Sequence, residues 1–152
     1  MIDSQLITTP VSVGWTEVLS DWFRDDTEGL KRLSSYTKID NWLKLLNPKT
    51  RWGYIILDNK TPMGFIDLER IGEKRGGFSF YTAPLFRGKG YCRKIIQTLI
   101  TLALQKNLDI LYCGVEKDNQ VSIKCLISIG FKHFGIDKDN MLEYELKLTP
   151  VL

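Results

Sequence analysis

Apolar positions recur along this chain with two periods, near 3.6 and near 2, and the places where the period changes divide it into elements. Residues 5–11 read as a first strand ending at Pro10, after which Trp15, Val18, Leu19, Trp22 and Phe23 share one helical face. A second helical stretch over residues 27–46 carries Leu30, Leu33, Ile39, Trp42, Leu43 and Leu46. It has a break near Ser34-Ser35 and stops before Asn47-Pro48. Residues 52–57 and 63–71, separated by the turn D-N-K-T-P at 58–62, carry a hairpin pattern, and residues 73–77 form the next turn. A strand at 78–83, a helix at 89–106, a strand at 109–116 and a helix at 119–129 then give β-α-β-α. Two closing strands at 131–136 and 141–148 complete a mixed sheet, and the alternation predicts an α+β (mixed α/β) fold in a single domain over residues 1–152.

The junction between the strand at 78–83 and the long helix carries the most chemical information. Residues 84–92 read P-L-F-R-G-K-G-Y-C. Pro84 ends the strand because it lacks an N–H and restricts the residue before it. Gly88 and Gly90 let the backbone approach a ligand closely. The helix that follows is expected to bury Ile96, Leu99, Ile100, Ala103 and Leu104, leaving its unpaired N-terminal N–H groups and the positive end of its dipole facing the loop. A phosphate or diphosphate is the natural guest of such a cradle. A P-loop is excluded because Ala83 stands where its first glycine belongs and Gly90 where Ser or Thr should follow Lys89. A dinucleotide fingerprint started at Gly88 fails at its third glycine, which is Arg93.

What remains is R-x-x-G-x-x with Arg87, Gly90 and Cys92 at the marked places, between a strand and a helix. It resembles the acyl-coenzyme A signature [QR]-x-x-G-x-[GA] of the GNAT superfamily of N-acetyltransferases. Further on, V-E-K-D-N-Q-V-S at residues 115–122 leads into an apolar helix closed by Gly130-Phe131. This is similar to the second signature of that superfamily, a strand followed by N-x-x-[AS] on a helix that ends in G-F. With the hairpin before and the closing strands after, the similarity covers nearly the whole chain.

The resemblance implies a mixed central sheet of six to seven strands with helices on both faces, acetyl-CoA as cosubstrate and no metal. The reaction implied is acetyl transfer to a primary amine of a small molecule, such as a polyamine or aminoglycoside-like compound, or of a peptide N-terminus. Backbone groups of Tyr81, Thr82 and Ala83 would meet the pantetheine arm. The segment Arg87, Gly88, Lys89, Gly90, Tyr91 and Cys92 would hold the diphosphate, with Arg87 and Lys89 adding charge. Asn119 would fix the arm or cap its own helix, a role asparagine fills without any ligand. Members of the superfamily are often homodimers.

The catalytic positions depart from the better-known pattern. The tyrosine found four residues after the [AS] place is here Leu126, and the glutamate found just before the valine of the second motif is Gly114. A serine at the [AS] place without that tyrosine resembles the branch of ribosomal-protein N-terminal acetyltransferases, which makes Ser122 the candidate acid for the departing thiolate. Helical serines also bond the backbone one turn back, which is the plainer role. Period two puts Asp67 and Glu69 on one strand face, and Glu69 is the candidate base, directly or through water. Two acids on a solvated hairpin face are the plainer reading, and Tyr81 and Glu116 are further options. A sensor of acyl-CoA with little turnover is the alternative function that the missing tyrosine and glutamate allow.

Composition narrows the setting. The chain of 152 residues is 43% hydrophobic and 26% charged, which suits one ordinary globular domain. A net charge of +3 without aromatic-basic strands gives no reason to expect nucleic acid. The apolar stretch at residues 95–104 is interrupted by Gln97, Thr98 and Thr101 and is far short of the roughly 20 residues of a membrane span. The N-terminus M-I-D-S-Q-L-I-T-T-P lacks the features of a secretory signal. Cys92, Cys113 and Cys125 form neither C-x-x-C nor a Cys/His cluster and read as reduced thiols of a cytoplasmic protein. His133 reads as an ordinary strand residue. Trp15, Trp22, Trp42 and Trp52 fall in the first third, where most are expected to pack in the core and one or two to line an acceptor pocket.

Overall fold

Two residues with left-handed backbone, Asn59 (φ 50°) and Lys60 (φ 71°), reverse the chain between its two longest adjacent strands. That turn is tighter than the pattern D-N-K-T-P suggests, and Pro62 consequently stands inside a strand. The structure is a computed structural model and describes residues 6–149. In chain order its elements are β1 (Ile7–Pro10), α1 (Thr16–Phe23), α2 (Thr27–Leu33), α3 (Ile39–Leu45), β2 (Arg51–Asp58), β3 (Thr61–Arg70) and β4 (Arg75–Thr82). They continue with α4 (Tyr91–Gln105), β5 (Ile110–Val115), α5 (Gln120–Ile129), β6 (Lys132–Ile136) and β7 (Leu142–Lys147). The strands form one seven-stranded sheet in the order β1-β2-β3-β4-β5-β7-β6. The pair β4–β5 is parallel, and β1–β2, β5–β7 and β6–β7 are antiparallel.

Most expected elements are present, with shifted ends. Residue 5, where the first strand is expected to begin, lies outside the described residues. The break expected near Ser34-Ser35 is a 3-10 turn over Ser34–Tyr36 that separates α2 from α3. Residues 73–77 are not a free turn: β4 already begins at Arg75, because Arg75, Gly76 and Gly77 pair with Ile110, Leu111 and Tyr112. In α4 the fully buried stripe is Ile95, Ile96, Leu99, Leu102 and Ala103, whereas Ile100 and Leu104 are only half-buried.

The described residues fall into two compact units, one reaching Asp67 and including Phe80–Tyr91, the other made of Leu68–Ser79 and the chain from Cys92 onward. The core of the first unit is aromatic. Phe23, Tyr36, Trp42, Phe65 and Tyr81 are buried with ring centroids 4.6 to 5.2 Å apart for the closest pairs, and Leu19, Ile39 and Ile55 fill between them. Trp42 and Trp52 are buried, while Trp15 and Trp22 pack against this core half-exposed. The hydrophobic burial of such side chains, about 1.5–3 kcal/mol each, is the main force holding the unit together.

In the second unit, Leu111, Leu126, Phe131 and Tyr144 are buried, as is the apolar stripe of α4. Gly130 ends α5 at φ 117°, and its N–H donates to the carbonyls of Leu126 and Ile127, which is why the motif closes in glycine. Cys92 and Cys125 are joined by a disulfide, so two of the three cysteines are not the reduced thiols that their spacing suggests. Cys113 is buried, and burial pushes its thiol up to about 12.

Candidate active site

The loop between β4 and α4 is organised by an acid that sequence reading missed. Asp26 is the N-cap of α2 and accepts a hydrogen bond from the Gly29 N–H at 3.1 Å. Its carboxylate is also gripped by Arg87, whose Nη1 and Nη2 donate to Oδ1 and Oδ2 at 2.6 Å each. The Tyr81 hydroxyl donates to Oδ2 at 2.6 Å, so one buried carboxylate accepts four hydrogen bonds. The Arg87 Nε donates to the Thr82 carbonyl at 2.9 Å, and its guanidinium lies 5.2 Å from the Tyr81 ring centre. Arg87 is therefore a bracket that ties the loop to α2 and β4, with most of its charge spent on Asp26.

Because Arg87 donates two charge-assisted bonds to it, Asp26 ionises well below the usual aspartate value of 3.8, at about 2, although burial works in the opposite direction. Burial first, then the neighbouring Asp26, pushes the Tyr81 hydroxyl far above its ordinary range, so it stays a neutral donor. The pH consequence follows from the sign. A carboxylate whose folded pKa is depressed stabilises the fold fully above about pH 4, and that contribution, about 2 kcal/mol, is lost as pH falls toward 2. Acid unfolding of the wild type is expected to steepen in this window, and Asp26→Asn to flatten it, as read by circular dichroism against pH.

The loop itself is open. Gly88 (φ 72°) and Gly90 (φ 81°) have left-handed backbone, and a Cβ at either would meet nothing within 4 Å. Glycine is demanded there by conformation and not by crowding. Lys89 is exposed between them. The Tyr91 hydroxyl donates a short hydrogen bond to Asp58 at the turn before β3, and this acceptor pushes its pKa up. Ala83 is less available than expected. Its N–H donates to the Met63 carbonyl at 2.8 Å, and its own carbonyl accepts the Phe86 N–H at 2.9 Å.

Asp67 and Glu69 do not share one environment. The Asp67 carboxylate is buried and accepts from the Tyr36 hydroxyl at 2.5 Å, Trp42 Nε1 at 3.3 Å, and Arg51 Nε and Nη2 at 3.2 and 2.7 Å. It anchors the aromatic core of the first unit and is a poor candidate base. Glu69 is half-buried in the second unit. There Asn119 caps α5, its Oδ1 accepting the Ser122 N–H at 3.4 Å, and Ser122 is half-buried in the first turn. Ser128, Thr98 and Thr101 bond the backbone within a turn, whereas no such bond from the Ser122 hydroxyl occurs among the described residues. Glu116, the further option, is half-buried just after β5. His133 lies on β6 with its Nε2 3.0 Å from the Gly135 carbonyl. No group of three or more His, Cys, Asp or Glu able to hold a metal occurs among the described residues. Among the described residues no helix is long and apolar enough to cross a membrane.

Known proteins share this arrangement of elements. The profile described as the acetyltransferase (GNAT) family matches residues 15–131. An uncharacterized N-acetyltransferase, YfmK of Bacillus subtilis (strain 168), is 28% identical over 117 residues, which is 76% of this chain and 77% of that protein. The GNAT domain of S. lividans PAT superposes with a TM-score of 0.77 at 16% identity, covering 93% of this chain and 89% of that one. A spermidine N-acetyltransferase chimera built from Vibrio cholerae SpeG and hSSAT gives 0.75 at 18% identity over 95% of each chain. Campylobacter jejuni N-acetyltransferase PseH gives 0.73 at 18% identity, with 95% of this chain and 99% of that chain covered. At these identities the solved structures speak for the fold, and the family profile for the rest: the chain belongs to the acetyltransferase (GNAT) family, the acetyl-CoA-dependent acetyltransferases.

Proposed function

We propose that this chain is a cytoplasmic, single-domain N-acetyltransferase that moves the acetyl group of acetyl-CoA directly onto a primary amine of a small molecule or a peptide N-terminus. The observation that carries the reading is the loop after β4: a bracketed arginine, then two left-handed glycines with open space above them, then a helix start. Backbone N–H groups of residues 88–92 suit a diphosphate, the Arg87 N–H being donated to the Pro84 carbonyl, and Lys89 supplies the free charge that Arg87 does not. Since the Ala83 backbone groups and the Thr82 carbonyl are engaged, contacts to the pantetheine arm fall to the backbone of Tyr81 and the Thr82 N–H, with Asn119 both capping α5 and offering its amide. The parallel ladder of β4 with β5 covers only Arg75–Gly77, although β4 runs on to Thr82, and this supports an arm that uses the backbone of β4 beyond the ladder.

Bound acetyl-CoA supplies a thioester carbonyl for attack by a neutral amine. Glu69 takes the proton that the ammonium form of the acceptor must lose, directly or through water. Ser122 gives a proton to the departing sulfur. Positioning of the amine and the thioester together provides much of the remaining rate. Spermidine is acetylated by one of the structural neighbours, so polyamines belong in the acceptor panel beside peptide N-termini.

The test is thiol release from acetyl-CoA over that panel. The wild type is expected to release thiol only when an acceptor is present. Ser122→Ala is expected to lower kcat about 10²-fold with KM for acetyl-CoA nearly unchanged. Glu69→Gln is expected to lower kcat about 10²-fold, again with KM for acetyl-CoA nearly unchanged. Full activity of both variants would mean that the proton donor and acceptor are elsewhere.

A further inference from the structure

Cys92 occupies the third place of the coenzyme signature, where glycine or alanine is preferred, and it is bonded to Cys125 in the body of α5, 33 residues on. Both partners are half-buried. Cys113, by contrast, is buried with its thiol pushed up to about 12 by burial, and is inert at neutral pH. Cys92 is the second residue of α4 and is followed by Arg93 and Lys94. Disulfides that form in the cytoplasm are usually transient and redox-sensing. The chemistry and the placement therefore agree.

We propose that Cys92 and Cys125 form a reversible redox site whose state sets the affinity for acetyl-CoA, a reading that rests on the coenzyme loop argued above. Gly88 and Gly90 have no neighbours that would hold a side chain, so order in this loop depends on how its ends are fixed. Arg87 fixes one end through Asp26. At the other, Tyr91 bonds Asp58 and the disulfide pins the chain one residue further on, so oxidation adds to the order of the loop and reduction removes that part of it. The step balances with a low-molecular-weight disulfide as oxidant. The Cys92 thiolate attacks one of its sulfurs and expels a first thiol, and the Cys125 thiolate then attacks Cys92 and expels the second. Two cysteine thiols are oxidised and one disulfide is reduced to two thiols.

The test compares full-length protein equilibrated with oxidised glutathione against protein reduced with a phosphine, each titrated calorimetrically with acetyl-CoA. The oxidised form is expected to show one titratable thiol, a melting temperature raised by about 10 °C, and binding at least about fivefold tighter. By reciprocity, saturating acetyl-CoA should shift the disulfide equilibrium toward oxidation by the same factor. Reduced Cys125→Ser should bind like the reduced wild type, and with oxidised glutathione it should stop at the mixed disulfide on Cys92 and show no gain in affinity. Three titratable thiols after glutathione treatment, or equal affinity in the two states, would overturn the redox site. Absence of acetyl-CoA binding in both states would overturn the coenzyme reading itself.

Discussion

Replacing Asp26 by alanine is expected to lower the melting temperature by about 10 °C and to weaken acetyl-CoA binding well beyond what the lost stability explains. Removing one partner of a buried ion pair costs about 3–5 kcal/mol, because the other charge is left without compensation. Here the lower end applies, since the Arg87 side chain is 37% exposed and water screens it in part. The variant also strips the Tyr81 hydroxyl and the Gly29 N–H of their acceptor. Asp26→Asn keeps the cap but not the charge, and should fall between the two. A double-mutant cycle with Arg87→Gln separates the bracket from the cap: the paired loss should be clearly smaller than the sum of the single losses. Additive losses would mean that Asp26 acts only as the α2 cap, and the loop would need another explanation for its order.

Gly64→Ala is expected to destabilise the fold by about 3 kcal/mol or to prevent soluble expression. A Cβ at Gly64 would fall on the main-chain carbonyl oxygen of Tyr81, and a backbone atom cannot swing aside as a side chain can. Relief requires β3 and the chain after β4 to separate where Ala83 donates to Met63, just before the glycine loop. Thermal unfolding of the variant would show the loss. A melting temperature within a degree of the wild type would mean that the two strands tolerate a wider spacing there.

The parts of the fold that were legible in the sequence are those fixed by local rules. The hairpin patterns, the break after Leu33, the cap at Asn119 and the glycine stop at Gly130 each depend on a few neighbouring residues. Strand ends were less legible: β4 starts at Arg75 because a parallel partner pairs with it, and nothing within residues 73–77 announces that partner. The loop motif was readable because the left-handed backbone at Gly88 and Gly90 favours glycine. Its support was not, because Asp26 stands 61 residues from Arg87 and its local sequence advertises only a helix cap. Asp67 misled for the same reason. Period two placed it beside Glu69, but Tyr36, Trp42 and Arg51 enclose its carboxylate from distant positions. Cys92 and Cys125 are likewise paired by the packing of two helices, which no spacing rule foretells.

The measurement that bears most directly on the coenzyme loop is thermal unfolding with acetyl-CoA, NAD or ATP, each in large excess. A ligand at about 100 times its Kd adds about 2.7 kcal/mol to the folded state, or about 5–10 °C for a domain of this size. The expected result is a rise of that order with acetyl-CoA alone, diminished in Asp26→Asn. No rise with acetyl-CoA, or a rise with NAD or ATP in its place, would contradict the assignment of the loop to acetyl-CoA.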